Sequence, residues 1–219
     1  MNKGTLNVDG GEWSTLFSIM LSTLAWTNSC GYSAKMVHLA CYSKIEQRWQ
    51  RPDSDWVKIN VDGSVSKNNT KATIGGAMRN SNGEWLTGFN MVTGVDEIFR
   101  IEAQEIVEEM KLAWLKGYKQ VEINCDNVML IDTICNGFAS ISNIAEVRLI
   151  YEWCNKDWKV KFRHVLQGSN KVADCLAKAA IGKLNQVVLF SVPLQYVIRL
   201  LEEDTHDSLY KGNTVFIHS

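Results

Sequence analysis

Three segments of β period follow one another with only turn-length gaps between them, and then the period becomes helical. That order restricts the chain to few folds. Trp56 to Ser64 alternates as a first strand, Ala72 to Arg79 follows, and Asn80-Ser81-Asn82-Gly83 is a turn signal leading into Glu84 to Val92. Short connections make these strands an antiparallel meander. Between residues 97 and 116, Ile98, Ile101, Ile106, Met110 and Ala113 recur at helical spacing, and Gly117 supplies a C-terminal stop. A fourth strand, Gln120 to Cys125, is followed by a short helix opened by Asp126-Asn127 and ending near Gly137. A second helix runs from about Ile141 to Asn155, a fifth strand from Lys159 to Val165, and a last helix, capped by Asn170, from Lys171 to Ile181. The order βββαβααβα predicts an α/β domain: a five-stranded mixed sheet, an antiparallel meander plus parallel strands, flanked by helices.

The two prolines, Pro52 and Pro193, stand on either side of this pattern. Residues 49–183 are therefore expected to form the domain, residues 184–219 a C-terminal tail, and residues 1–48 an N-terminal flank. That flank reads as helical, with Trp13, Leu16, Phe17, Leu24 and Trp26 among its apolar positions. A formal net charge of −1 excludes a global basic field, so affinity for a polyanion has to come from local charge. The six cysteines lack Cys-x-x-Cys pairs and zinc-spaced histidines, and read as reduced thiols of an intracellular protein, nuclear or cytoplasmic. Residues 1–14 carry no secretory pattern, and the apolar run Leu16 to Trp26 is too short to span a bilayer. No membrane partner is expected, and the chain is expected to be a monomer.

The chemistry begins where the first strand ends, in Lys58-Ile59-Asn60-Val61-Asp62-Gly63-Ser64. Read as continuing the buried side of Ile59 and Val61, Asp62 is a carboxylate that needs a neutralising partner such as a metal ion. Gly63 beside it lets a ligand approach the backbone. Asp126 ends the fourth strand, and neighbouring parallel strands bring both acids to one sheet edge, where ligands gather. Glu102 lies four residues from both Ile98 and Ile106, hence on the helix face turned to the sheet; Glu108 is expected in solvent, with Glu105 and Glu109 intermediate. Asp174 falls in the first turn of the last helix. Each acid also has a structural reading: a turn for Asp62, a cap for Asp126, a boundary position for Glu102, a helix-dipole acid for Asp174.

Taken together, Trp49-x-x-Pro52-x-x-x-Trp56 running into Val61-Asp62-Gly63-Ser64, then Ile101-Glu102-Ala103, Cys125-Asp126, and His164-Val165 with Asn170-Lys171-Val172-Ala173-Asp174, resemble the ribonuclease H-like domain of plants. This is the type 1 kind related to retroelement reverse transcriptases. The resemblance covers residues 49–183. It implies a ribonuclease H-like fold in which Asp62, Glu102, Asp126 and Asp174 are catalytic and hold two Mg²⁺ (or Mn²⁺) ions. An all-carboxylate set suits such hard cations. It implies cleavage of the RNA strand of an RNA–DNA hybrid, with Gly63, Ser64, Asn127 and Asn170 as the expected substrate contacts.

The chain departs from the better-known enzymes at two places. The loop Leu166-Gln167-Gly168-Ser169 is short and lacks a histidine, His164 being read as a strand-end residue, and Asn136 to Asn143 has no basic residue that could grip a hybrid. Lys156, Lys159, Lys161, Arg163, Lys171 and Lys178 are candidate phosphate contacts. Half-buried packing is expected for Trp85, Trp114, Trp153 and Trp158. The alternatives to a nuclease are a non-catalytic nucleic-acid-binding module and a retroelement-derived remnant of the same fold.

Overall fold

The computed structural model describes residues 40–42, 48–66 and 71–210; the helix expected within residues 1–48 lies outside the described residues. Among the described residues seven strands form one sheet: β1 (Ala40–Tyr42), β2 (Val57–Val65), β3 (Ala72–Arg79), β4 (Trp85–Thr93), β5 (Gln120–Cys125), β6 (Lys159–His164) and β7 (Val187–Phe190). Five helices accompany them: α1 (Ile98–Leu115), α2 (Val128–Cys135), α3 (Ala145–Cys154), α4 (Lys171–Lys178) and α5 (Gln195–Tyr210). The sheet order is β1-β6-β5-β2-β3-β4-β7. β2, β3 and β4 are the antiparallel meander, and β2, β5 and β6 are parallel neighbours, as the sequence predicts. β1 and β7 are additions at the two edges, β1 parallel to β6 and β7 antiparallel to β4.

Local chemistry sets the ends of these elements. Asn80 and Gly83 close the β3–β4 turn through Gly83 N–H to Asn80 O, with Gly83 at φ 84°. Gly117, at φ 79°, ends α1 as a left-handed cap. The helix expected from Ile141 begins instead at Ala145, because Phe138–Ile141 forms a separate 3-10 turn behind Gly137 at φ 79°.

Helices cover both sheet faces. On one face Ala72, Ile74, Phe89 and Met91 pack with Ile101 of α1; on the other Ala77 packs with Val172 and Leu176 of α4 and Val197 of α5. Side chains two apart share a strand face, so Asp62 stands with Lys58 and Asn60 on the α4 face, not with Ile59 and Val61 as the sequence reading had it. Its burial has a different origin: the polar side of β2 is itself covered. Lys58 pairs with Glu122 at 2.8 Å, both side chains 2% exposed. Asn60 Oδ1 accepts from Trp49 Nε1 (2.9 Å) and from Arg79 Nη2 (3.0 Å). The Arg79 guanidinium lies 3.7 Å from the Trp49 ring centroid and pairs with Asp204 of α5 at 2.7 Å. The C-terminal segment is thereby stitched into the sheet by β7 and into its buried polar column by Asp204.

Two adjacent glycines let the layers close. A Cβ on Gly75 would stand 2.2 Å from the Ala177 backbone nitrogen of α4, and one on Gly76 would strike Glu109 and Phe89 on the opposite face. Cys125, Cys154 and Cys175 are free thiols; Cys135 is disulfide-bonded, against the expectation of six reduced cysteines, because linear spacing does not reveal which sulfurs the fold brings together.

Candidate active site

The β2–β5 register carries the first two acids. Asn60 faces Asn124 at the end of the ladder, so Asp62 and Asp126 follow just beyond it at the carboxyl ends of parallel strands, close enough for the Asp126 charge to act on Asp62. Asp62 is 5% exposed and on the α4 face. Glu102 comes from α1 on the other face and reaches the edge across Gly63: a Cβ at position 63 would stand 3.2 Å from Glu102 Cγ and from Ile101 Cγ2. Asp174, in the first turn of α4, hydrogen-bonds Asp62. The four acids thus arrive from two strands and two helices on opposite sides of the sheet.

Their electrostatics show them as one group. Burial raises the Asp62 carboxyl to about 8, and Asp126, Asp174 and Glu102 all push it in the same direction. Glu102 is raised to about 7, mainly by burial, with Asp126 adding to it and a hydrogen bond from the Asn127 side chain opposing it. Asp126 is also raised by burial, against the stabilising charge of His164. Asp62 Oδ2 and Glu102 Oε2 are buried without a hydrogen-bond partner. Among the described residues no three of His, Cys, Asp and Glu are already drawn together as a metal-holding group; without a cation, neighbouring acids disfavour each other's charged form, as Asp126, Asp174 and Glu102 do that of Asp62. The donor chemistry nonetheless fits: orphaned, buried carboxylate oxygens with no sulfur or imidazole among them suit a hard divalent cation.

The flanking residues divide. Asn127 N-caps α2 by accepting from Leu130 N–H at 3.0 Å while also bonding Glu102. Ser64 and Gly63 are half-buried, Ser64 lining a groove of about 430 Å³ with Lys71, Thr73 and Lys178. Asn170 occupies the N-cap position of α4 but does not cap it, because its side chain is engaged elsewhere: it donates to Val61 O and accepts from Asn60 Nδ2 at 3.1 Å. At 1% exposure it ties β2 to α4. His164 ends β6, with Nε2 3.1 Å from Asp126 O, the strand-end placement expected for it. The short loop forms a 3-10 turn, Gln167–Ser169.

Two acids take a part that the sequence reading missed. Glu105 and Glu109, expected at intermediate depth, are both fully buried, because both side chains lie against the sheet, Glu105 at Asp62 and Gly75 and Glu109 at Gly76. Glu105 Oε1 accepts the backbone N–H of Asp62 (2.6 Å) and of Gly75 (3.1 Å), which face each other across β2 and β3. The signal available in the sequence was the pair Gly75-Gly76 on the neighbouring strand, room for a helix side chain to reach the backbone.

Several of the basic candidates have local partners: Lys161 with Asp53 (2.7 Å), Arg163 with Glu122 (3.3 Å) and Lys178 with Asp174 (2.7 Å). Trp114, Trp153 and Trp158 pack edge to face at the other end of the sheet, with Lys156 over Trp114 and Trp153.

Solved structures share the architecture. The N-terminal ribonuclease H domain of a Mycobacterium tuberculosis protein superposes with a TM-score of 0.52 at 16% identity, over 58% of this chain and 99% of that one. LC9-RNase H1, a type 1 ribonuclease H with the type 2 active-site motif, gives 0.53 at 16% identity, over 73% and 87%. An Arabidopsis thaliana protein whose provisional name is ribonuclease H protein is 30% identical over 158 residues, 72% of this chain. The chain spans only 26% of that relative's length. A family model described as reverse transcriptase-like matches residues 60–180, a stretch holding Asp62, Glu102, Asp126 and Asp174, and the chain belongs to that family of ribonuclease H-like domains.

Proposed function

We propose that the chain is a metal-dependent endonuclease that cleaves the RNA strand of RNA–DNA hybrids. The observation that carries this is the mutual electrostatics of the acids at the sheet edge: Asp62 is raised to about 8 by burial and then by Asp126, Asp174 and Glu102. A protein maintains such mutual repulsion at a cost, and a ligand that neutralises it gains what the repulsion stores. Two divalent ions, when bound, supply a polarised water and charge neutralisation at the leaving oxygen.

The chain's own residues do the rest. Asp62, at the strand end, with Asp126 opposite and Asp174 behind, supplies the carboxylate oxygens. Glu102, held by Asn127 and leaning over Gly63, stands on the side where a ribose 2′-hydroxyl would distinguish RNA from DNA. Glu105 fixes the Asp62 backbone from behind, and Asn170 fixes Val61. Gly63 gives Glu102 the room to reach the edge, and the half-buried Ser64 beside it would meet an approaching strand.

The test is cleavage of an end-labelled RNA–DNA hybrid with Mg²⁺ or Mn²⁺, against EDTA and the Asp62→Asn protein. Cleavage of the RNA strand by wild type with metal alone supports the reading; no cleavage with either metal overturns it. A non-catalytic binding module is the second reading, which the short Leu166 to Ser169 loop without a histidine and the lack of basic residues from Asn136 to Asn143 allow.

A further inference from the structure

The C-terminal helix α5 builds a wall that the acids alone do not require. Between α4 and α5 lies a cleft of about 560 Å³, lined by Lys171, Asp174, Cys175, Lys178, Tyr196 and Leu200. Its volume is within the ~300–1,000 Å³ range of small-ligand pockets, room for a nucleotide. Asp174 belongs to the acid group, so the cleft continues directly from the proposed site. Cys175 and Leu200 make its floor apolar, Tyr196 is 48% exposed, and the Lys171 and Lys178 side chains are 55% and 61% exposed. The wall is held in place: Arg79 pairs with Asp204, and Leu194, Val197, Leu200 and Leu201 pack against the α4 core. Lys171 is 3.8 Å from Glu203, an exposed pair loose enough to yield to a phosphate.

An apolar floor, an accessible aromatic ring and a loosely paired ammonium group suit an unpaired nucleotide, the ring for its base and Lys171 for its phosphate, while Lys178 stays paired with Asp174 at 2.7 Å. A base pair inside a duplex has no free face for Tyr196. We therefore propose, resting on the nuclease reading above, that the α4–α5 cleft takes one unpaired nucleotide of the RNA strand as it leaves the site. The preferred substrate is then a hybrid continued by single-stranded RNA, not a blunt hybrid.

The test is fluorescence anisotropy with the full chain in Ca²⁺, using a blunt RNA–DNA hybrid, the same hybrid with the RNA strand extended at either end, and one with the DNA strand extended. The expected result is about tenfold tighter binding of one RNA-extended probe, in line with the stacking of one base. Tyr196→Ala should bring that advantage close to one, and Lys171→Ala should weaken the extended probe and lower its salt slope by about one ion. Equal affinity for blunt and RNA-extended hybrids overturns the inference while leaving the nuclease reading intact, as does an advantage that survives Tyr196→Ala. Preference for the DNA-extended probe overturns it too. Binding of no hybrid at all, with no cleavage in the assay above, overturns both. The wild-type comparison needs no variant, so a folding defect in Tyr196→Ala does not shield the inference.

Discussion

Glu105 accepts the backbone N–H of Asp62, at 2.6 Å, from a helix on the opposite side of the sheet from the Asp62 side chain. The same carboxylate oxygen takes Gly75 N–H at 3.1 Å, so one buried acid joins β2, β3 and α1 directly behind the candidate site. Glu105→Ala leaves both N–H groups buried without an acceptor and should destabilise the fold by about 2–6 kcal/mol, from ~1–3 per unsatisfied group. Glu105→Gln keeps an acceptor and should lose about half as much or less. Denaturant unfolding of both variants checks this, and equal stability of the two would contradict the acceptor role.

Asp62→Asn changes little volume and removes a proposed metal ligand. Hybrid cleavage should fall by at least about a hundredfold, roughly 2.7 kcal/mol of barrier. Without divalent metal, however, the variant should unfold at a higher temperature than wild type at pH 9, because a buried carboxyl with its pKa near 8 opposes folding once it must ionise. Parallel measurements of activity and melting separate a lost ligand from a lost fold.

Metal affinity should depend on pH in a definite direction. With Asp62 raised to about 8 and Glu102 to about 7, binding an ion at pH 6 must displace protons that are largely gone by pH 9. Mg²⁺ affinity should therefore rise across that window. Calorimetry in two buffers of different ionisation heat should register proton release at pH 6.5 and much less at pH 9.

Glu109 tests burial away from the acid group. Both of its carboxylate oxygens are buried without partners, and desolvation raises its pKa well above the usual carboxylate range. The folded state then holds a proton that the unfolded chain releases above ~4.3, so this group's contribution to stability falls as pH rises from there toward its raised folded pKa. Glu109→Gln should flatten that slope, gaining most over wild type at alkaline pH. Melting curves from pH 5 to 9 decide it, and an unchanged slope would rule the assignment out.

Arg79 is 1% exposed, and burial lowers its pKa to about 10 against the support of Asp204. Asp204→Ala leaves the guanidinium its bond to Asn60 but not its counter-charge. The loss should be about 3 kcal/mol, the lower end for breaking a buried pair because Asp204 is partly accessible. Loosening of α5 should appear as faster amide exchange over residues 195–204.

Much of the fold was legible because periods and turns are local. The five central strands follow from alternation, and Asn80 to Gly83 and Gly117 mark their own conformations. β1 and β7 are three and four residues long and owe their existence to neighbours, β6 and β4, that lie far away in sequence. The places of the four acids, at the ends of two strands and on two helices, were legible through strand ends and helix spacing. The face of Asp62 was misjudged because alternating Lys58 and Asn60 look solvated until Trp49, Arg79 and Glu122, none of them near in sequence, supply their partners. Glu105 and Glu109 escaped because the apolar spacing centres the sheet-facing side of α1 on Glu102 and does not reveal that Gly75 and Gly76 leave the sheet room for two more acids of that helix.

Gly75 gives the site its dimension. It faces Asp62 across the β2–β3 ladder, and the space its missing side chain leaves is filled by the α4 backbone at Ala177, three residues after Asp174. The gap between two acids on different elements is thus gauged by an atom that is not there. A single methyl group at this position would act as a shim, lifting α4 and carrying Asp174 away from Asp62 with no change to any acid. The spacing of the carboxylates is therefore inherited from the sheet, and a substitution outside the acid set could switch the site off.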